Sequence, residues 1–238
     1  MTARSLPKFL CAAAVAVGAL GLPLTLPVQA ASAAPCPDIE VVFARGTAEP
    51  PGLGVTGSSF TEAMRARAGG KTVGSYGVNY AASADFDHPA VVLHTALDGI
   101  RDAQRHITFI ANTCPGTRIV LGGYSQGAVV AGIATMGGLP PGVRPEHRAD
   151  VPPPMPPEVA NHVAAVVLFG KPSDRFMLDL GAPTVAVGGL YAGKTREYCV
   201  PFDNICDGTP ARQPNALHVL YAVNGMQIDA AGFAASRL

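Results

Sequence analysis

Apolar-rich runs and helical patterns alternate along the chain. Short runs occur at Ile39 to Arg45 (IEVVFAR), Thr72 to Tyr80 (TVGSYGVNY), Arg118 to Tyr124 (RIVLGGY), Val163 to Gly170 (VAAVVLFG) and Thr184 to Gly189 (TVAVGG). Such runs read as strands, and those that are apolar at successive positions read as parallel strands buried on both faces. Helical patterns lie between or after them, at Gly57 to Ala68, Ala90 to Ala111, Gln126 to Gly137 and Val219 to Ser236. In the second of these, Leu93, Leu97, Ile100, Gln104, Ile107 and Ala111 recur at helical steps and form one mostly apolar stripe. Strand and helix in turn predict an α/β fold, a parallel sheet with helices on both faces.

One segment breaks the rhythm. Leu139 to Glu158 holds eight prolines in twenty residues, which excludes a regular helix or a central strand. It reads as a surface connection, with a semi-rigid flap beside a functional site as the alternative.

The start of the chain has a different character. Arg4 and Lys8 precede the apolar run Phe9 to Leu22, and Val28 to Pro35 is rich in small residues, with Ala31-Ser32-Ala33 in a small-x-small pattern. This predicts a secretory signal peptide over residues 1–33, interrupted by Pro23 and Pro27 and too short to span a bilayer, followed by an exported domain over residues 34–238. The expected location is outside the cell, free or held at the cell wall. The whole chain carries 17 basic and 17 acidic residues, so removing the leader leaves a slightly acidic protein, and nucleic acid is not an expected partner. A monomer without stable membrane insertion is expected.

Beyond the leader remain Cys36, Cys114, Cys199 and Cys206, an even set that argues for two disulfides in an exported protein. Three pairings are open. The simplest joins sequence neighbours, Cys36–Cys114 and Cys199–Cys206, one closing a long loop and one a short loop, with stabilisations of about 4 and about 2.5 kcal/mol in the chain-entropy picture. No C-x-x-C or H-x-x-x-H spacing supports a metal site, and neither metal nor cofactor is expected.

The chemistry-bearing motif is GGYSQG, Gly122 to Gly127, set between an apolar strand and a helical stretch. A G-x-S-x-G sequence at a strand-to-helix turn is what a nucleophile elbow requires: glycines let the backbone crowd, and Ser125 is left at the strained corner. Its hydroxyl needs a base and a group to orient that base. In α/β-hydrolases the chain order is Ser, acid, His. His88, His94 and His106 precede Ser125, while His147 and His162 precede a plausible acid, which leaves His218. For the acid, Asp203 lies within CVPFDNIC, inside a Cys199–Cys206 loop; Asp207 is the rival just outside it.

VFARGTAE (Val42 to Glu49), GGYSQG, CVPFDNIC, the late His218 and the four cysteines together resemble the cutinase family of serine esterases, and its actinobacterial, mycobacterial-type members above all. The resemblance runs from about Cys36 to Leu238. It implies a single-domain α/β-hydrolase, a three-layer sandwich with a five-stranded parallel sheet, a triad of Ser125, Asp203 and His218, and an oxyanion hole from the backbone N–H groups of Thr47 and Gln126. The Thr47 hydroxyl is a third donor by the same comparison, although fungal members usually carry Ser there. Arg45, beside it, reads as a structural hydrogen-bond or ion-pair partner.

The chain departs from the fungal pattern where substrates are selected. Asp207 to His218 is more polar than the apolar flap of fungal members, and Phe86 is the one large apolar side chain in ASADFDHP. The expected partner is an ester or lipid substrate, and esters of short and medium acyl chains are therefore the expected ones. A phospholipase, thioesterase or acyltransferase would use the same triad and differ only in products. A catalytically silent cell-surface protein on this fold would fail to react with a fluorophosphonate.

Overall fold

The computed structural model describes residues 36–210 and 213–238; the leader expected over residues 1–33 lies outside them. Five strands form one sheet: β1 (Ile39–Ala44), β2 (Val73–Gly77), β3 (Arg118–Tyr124), β4 (Val163–Phe169) and β5 (Thr195–Tyr198). Their spatial order is β2-β1-β3-β4-β5, and every neighbouring pair is parallel. The helices are α1 (Gly54–Arg67), α2 (Pro89–Thr113), α3 (Gln126–Ala134), α4 (Asp174–Asp179), α5 (Gly189–Ala192) and α6 (Met226–Ala235).

Strand alternation explains the three layers. In β1, Val42 and Ala44 face a core shared with α2 and α3, whereas Ile39, Val41 and Phe43 face a second core shared with α1 and α6. β4 divides likewise, Val166 and Leu168 against Ala165, Val167 and Phe169. The three central strands need apolar side chains on both faces, which is why they read as nearly continuous apolar runs. A parallel sheet also brings every strand's carboxyl end to one edge, where loops from separate parts of the chain meet.

Two expected elements are corrected. Thr184 to Gly189 is not a strand. Val185 is buried against Gly132 of α3, the Gly188 N–H donates to Thr135 Oγ1 at 3.0 Å, and the Val185 carbonyl accepts from Lys171 Nζ at 3.2 Å, so other partners than a strand satisfy this stretch. The fifth strand is instead Thr195–Tyr198, a polar edge strand with Arg196 and Glu197 exposed. The single helix expected over Val219 to Ser236 is two elements, a 3-10 turn at Ala216–Ala222 and α6, separated by Gly225 at φ 85°. The proline-rich segment carries only short 3-10 turns, Pro145–His147 and Pro157–Asn161. Its Val151 and Met155 pack against the α2–α3 core, and its Asp150 carbonyl accepts from Arg101 of α2 at 2.5 Å.

The cysteine sulfurs pair as Cys36–Cys114, 1.96 Å apart, and Cys199–Cys206, 2.02 Å apart. The first pair lies just before β1 and β3, at the amino ends of the strands; the second lies just beyond β5, at the carboxyl ends.

Candidate active site

β3 ends at Tyr124 and α3 begins at Gln126, so Ser125 alone makes the turn, at φ 53° and ψ −117°. A non-glycine residue there is strained, and neighbouring packing must impose it. The glycines on either side make that packing possible: a Cβ on Gly123 would sit on the Gly127 carbonyl, and one on Gly127 would sit on the carbonyls of Ala44 and Arg45. α3 is thereby pressed against the end of β1. The Ser125 N–H donates across the sheet to the Phe169 carbonyl at 2.9 Å, while the Ser125 carbonyl accepts from the N–H groups of Ala128 and Val129.

Ser125 Oγ lies 2.8 Å from His218 Nε2, and His218 Nδ1 lies 2.8 Å from Asp203 Oδ2. Because a carboxylate only accepts, Nδ1 carries the proton and Nε2 is left to accept from the serine hydroxyl. His218 is buried on its 3-10 turn, its carbonyl accepting from Tyr124 Oη at 2.5 Å. Burial pushes the Asp203 carboxyl up, yet hydrogen bonds from His218, Tyr221 and the Ile205 N–H hold it below its ordinary value of 3.8. Asp207 is turned instead toward Thr209, whose N–H and hydroxyl donate to it at 3.0 and 2.8 Å. Of the other histidines, His88 pairs with Asp85, His106 with Glu40 and His147 with Asp150.

Three groups that the sequence did not point out complete the acid's surroundings. Tyr221, fully buried, donates to Asp203 Oδ2 at 2.6 Å and accepts from the Val200 N–H at 2.9 Å; burial and the neighbouring carboxylate push its phenol well up, so it remains a donor. Asn204 and Asn215 tie the acid's loop to the histidine's turn: Asn215 N–H donates to Asn204 Oδ1 at 3.0 Å, and Asn215 Nδ2 to the Phe202 carbonyl at 2.8 Å. A tyrosine in an apolar stretch and two loop asparagines carry no motif that would single them out. The bridged sulfur of Cys206 lies 3.2 Å from Asp203 Oδ2 and 3.2 Å from Tyr221 Oη.

Thr47 follows β1 at the same edge. Among the described residues its N–H has no acceptor, and its neighbours Gly46 and Ala48 donate to Glu49 and to the Ala82 carbonyl. Gln126, as the first residue of α3, has no intrahelical acceptor for its own N–H, and its side chain donates to the Ser83 carbonyl at 3.2 Å. The α3 amino terminus adds partial positive charge beside the serine. Phe202, next to Asp203 in sequence, is 80% exposed, and Val219, next to His218 in sequence, is 67% exposed. Arg45 is buried, donating to the Glu49 carbonyl at 3.0 Å and the Tyr80 carbonyl at 2.5 Å. Among the described residues no cluster of His, Cys, Asp and Glu is arranged to hold a metal ion, and no helix is long and apolar enough to cross a membrane.

The cutinase family model matches residues 35–238. A relative from Mycobacterium tuberculosis named "Probable carboxylesterase Culp7" is 55% identical over 71% of this chain and 87% of its own length. Another from the same organism, named "Phospholipase Culp4", is 42% identical over 99% of this chain and 93% of its own. Among solved structures, Trichoderma reesei cutinase in complex with a phosphonate inhibitor is 29% identical, with a TM-score of 0.61 over 85% of this chain and 77% of that one.

Proposed function

The chain belongs to the cutinase family and is a carboxylic ester hydrolase, and from that premise we propose that it is an exported serine esterase working through an acyl-enzyme on Ser125. The observation that carries this reading is the unbroken hydrogen-bonded path from Ser125 Oγ through His218 to Asp203, at 2.8 Å for both links.

In the proposed reaction Ser125 Oγ attacks the ester carbonyl while His218 Nε2 takes its proton. Asp203 stabilises the imidazolium and remains ionised. The carbonyl oxygen becomes negative beside the N–H groups of Thr47 and Gln126, and one such donor is worth about 3 to 4 kcal/mol. Collapse expels the alcohol, which takes its proton from His218. Water then repeats the sequence on the acyl-enzyme, with His218 as base, releasing the carboxylic acid and free Ser125. Export is supported by the leader pattern and by the two bridged cysteine pairs, since disulfides persist in oxidising compartments.

Phe202 and Val219, sequence neighbours of Asp203 and His218, expose large apolar side chains, whereas the residues leading to His218 are mostly polar. Short and medium acyl esters are therefore the proposed substrates. The test is hydrolysis of a p-nitrophenyl ester series from about two to about sixteen carbons, because each methylene in an apolar pocket is worth about 1 to 3 kcal/mol. The expected profile peaks at short to medium length; a rise continuing to the longest esters would overturn the preference. A phospholipid belongs in the same series, because the 42% identical relative is named a phospholipase. Turnover of phospholipid above that of the best simple ester would make phospholipase the better reading.

A further inference from the structure

Glu49 is a charged residue that no step above uses. Its Oε2 accepts from the Gly46 N–H at 2.7 Å, and its Oε1 accepts from the N–H groups of Val55 at 2.9 Å and Thr56 at 3.3 Å. One carboxylate thus joins the end of β1 to the first turn of α1, across the loop that carries Thr47. The slot is built around it: a Cβ on Gly54, which sits at φ 67°, would overlap the carboxylate, and a Cβ on Gly46 would meet the Tyr124 ring.

The same loop is held from its other side. Arg45 Nε donates to the Glu49 carbonyl at 3.0 Å, and its guanidinium lies 5.1 Å from the centre of the Tyr80 ring, whose hydroxyl donates back to the Arg45 carbonyl. Ala48 is left-handed at φ 57°, and its N–H reaches the carbonyl of Ala82, itself left-handed at φ 49°. The Glu49 N–H donates to the Gly46 carbonyl at 3.2 Å. From Gly46 to Glu49, every N–H except that of Thr47 has an acceptor among the described residues.

We propose that Glu49 is a positioning residue for the oxyanion hole. Its carboxylate fixes the turn that keeps the Thr47 N–H unpaired and aimed, and it acts through Thr47 without touching substrate. The inference rests on the reading of Thr47 as an oxyanion donor. Hydrogen bonds from three backbone N–H groups to one carboxylate are charge-assisted and hold the turn before substrate arrives, which is what such a site needs. A helix-capping role alone would stabilise α1 and leave the transition state unaffected.

The experiment compares Glu49→Gln, which keeps the side chain's shape but puts an NH2 against backbone donors, with Asp38→Ala, which removes a side chain that accepts from Thr72 near the amino ends of the strands. Each is assayed for ester hydrolysis, for melting temperature, and for inhibition by a trifluoromethyl ketone, which forms a tetrahedral adduct with an active serine. Removing an oxyanion donor outright costs about a hundred- to a thousandfold in kcat, so Glu49→Gln should lower kcat about ten- to a hundredfold with little change in KM. Ketone affinity should weaken by the same factor. Asp38→Ala should lower the melting temperature and move neither quantity. If Glu49→Gln keeps kcat and ketone affinity within about twofold of the parent, or raises KM alone, the positioning role is overturned. Should Glu49→Gln fail to fold, Glu49→Asp, too short to reach both sets of donors, is judged by the same criteria. Ser125→Ala run in parallel separates the two readings, because its retained activity would sink the site itself, whereas an inactive Ser125→Ala beside a fully active Glu49→Gln would sink only the inference.

Discussion

The two edges of the sheet are built differently. At the carboxyl edge, the loops leaving β1, β2, β3 and β5 each hold a left-handed non-glycine residue: Ala48, Ala82, Ser125 and Phe202, at φ 57°, 49°, 53° and 68°. At the amino edge none of the described residues before a strand does so. Both edges bury polar groups. Those at the amino side are matched: Glu40 with His106 at 3.2 Å, and Thr117 Oγ1, just before β3, donating to the Pro37 carbonyl, just before β1, at 2.5 Å. At the carboxyl edge strain accompanies donors held back from pairing, such as the Thr47 N–H. Strained backbone costs on the order of 1 to 3 kcal/mol per residue and persists where the surrounding structure over-determines it. That concentration is what the proposed reaction at this edge needs.

The sharpest way to break this comparison is to exchange charge for shape at the acid. Asp203→Asn should lower turnover by about ten-thousandfold, because an amide cannot stabilise the histidine cation or select its tautomer. Asp207→Asn, beside it in sequence but turned to Thr209, should leave turnover within about twofold. Equal losses, measured as kcat/KM on one short ester, would detach the acid from His218.

The two bridges give the next test, since each edge carries one. Cys199→Ala/Cys206→Ala adds no hydroxyl beside Asp203 and frees the loop that holds it, and small misplacements of reacting groups cost up to about a hundredfold. Turnover per folded molecule should therefore fall about ten- to a hundredfold. Cys36→Ala/Cys114→Ala should leave that quantity nearly unchanged while removing about 4 kcal/mol of stability. In a domain of this size such a loss lowers the melting temperature by about 8 to 16 °C. Equal effects of the two on turnover would erase the distinction between edges.

Acidification produces the smallest effect. The Asp203 carboxyl lies below its ordinary 3.8 in the folded protein, so it contributes stability above that value and loses the contribution as pH falls through the depressed folded value. Tyr221→Phe removes one of the hydrogen bonds responsible, and a bond to a charged group is worth about 1.5 to 3 kcal/mol. The variant should melt lower than the parent at neutral pH, with the gap closing as pH falls through the depressed folded value of Asp203. A gap independent of pH, in parallel thermal melts, would mean that Tyr221 acts by packing alone.

Much of the fold and of the candidate site is legible in the sequence. β1, β3 and β4 are apolar on both faces because helices cover both, and the pattern of residues records that directly. The elbow is legible because Gly123, Ser125 and Gly127 each meet a backbone requirement that few other residues meet. β5 was hidden because an edge strand is polar, and Thr184 to Gly189 misled because apolar residues packing on α3 look the same in sequence as residues in a sheet. The tie between Tyr221 and Asp203 was illegible for another reason: Tyr221 reads as part of a continuous terminal helix, and only the break at Gly225 frees its turn to face the acid's loop. Glu49 sat in plain view within VFARGTAE, but nothing in a sequence states which N–H groups a carboxylate will gather.

The most direct test of the account is to treat the protein with a fluorophosphonate and locate the adduct by peptide mass spectrometry. The account predicts one adduct, on the peptide containing Ser125, absent in Ser125→Ala and formed much more slowly in Asp203→Asn, with the Ser125→Ala protein folded and ester hydrolysis lowered by about four to six orders of magnitude. An adduct on another residue, or a folded Ser125→Ala protein that still hydrolyses esters at more than about a tenth of the parent rate, would contradict it.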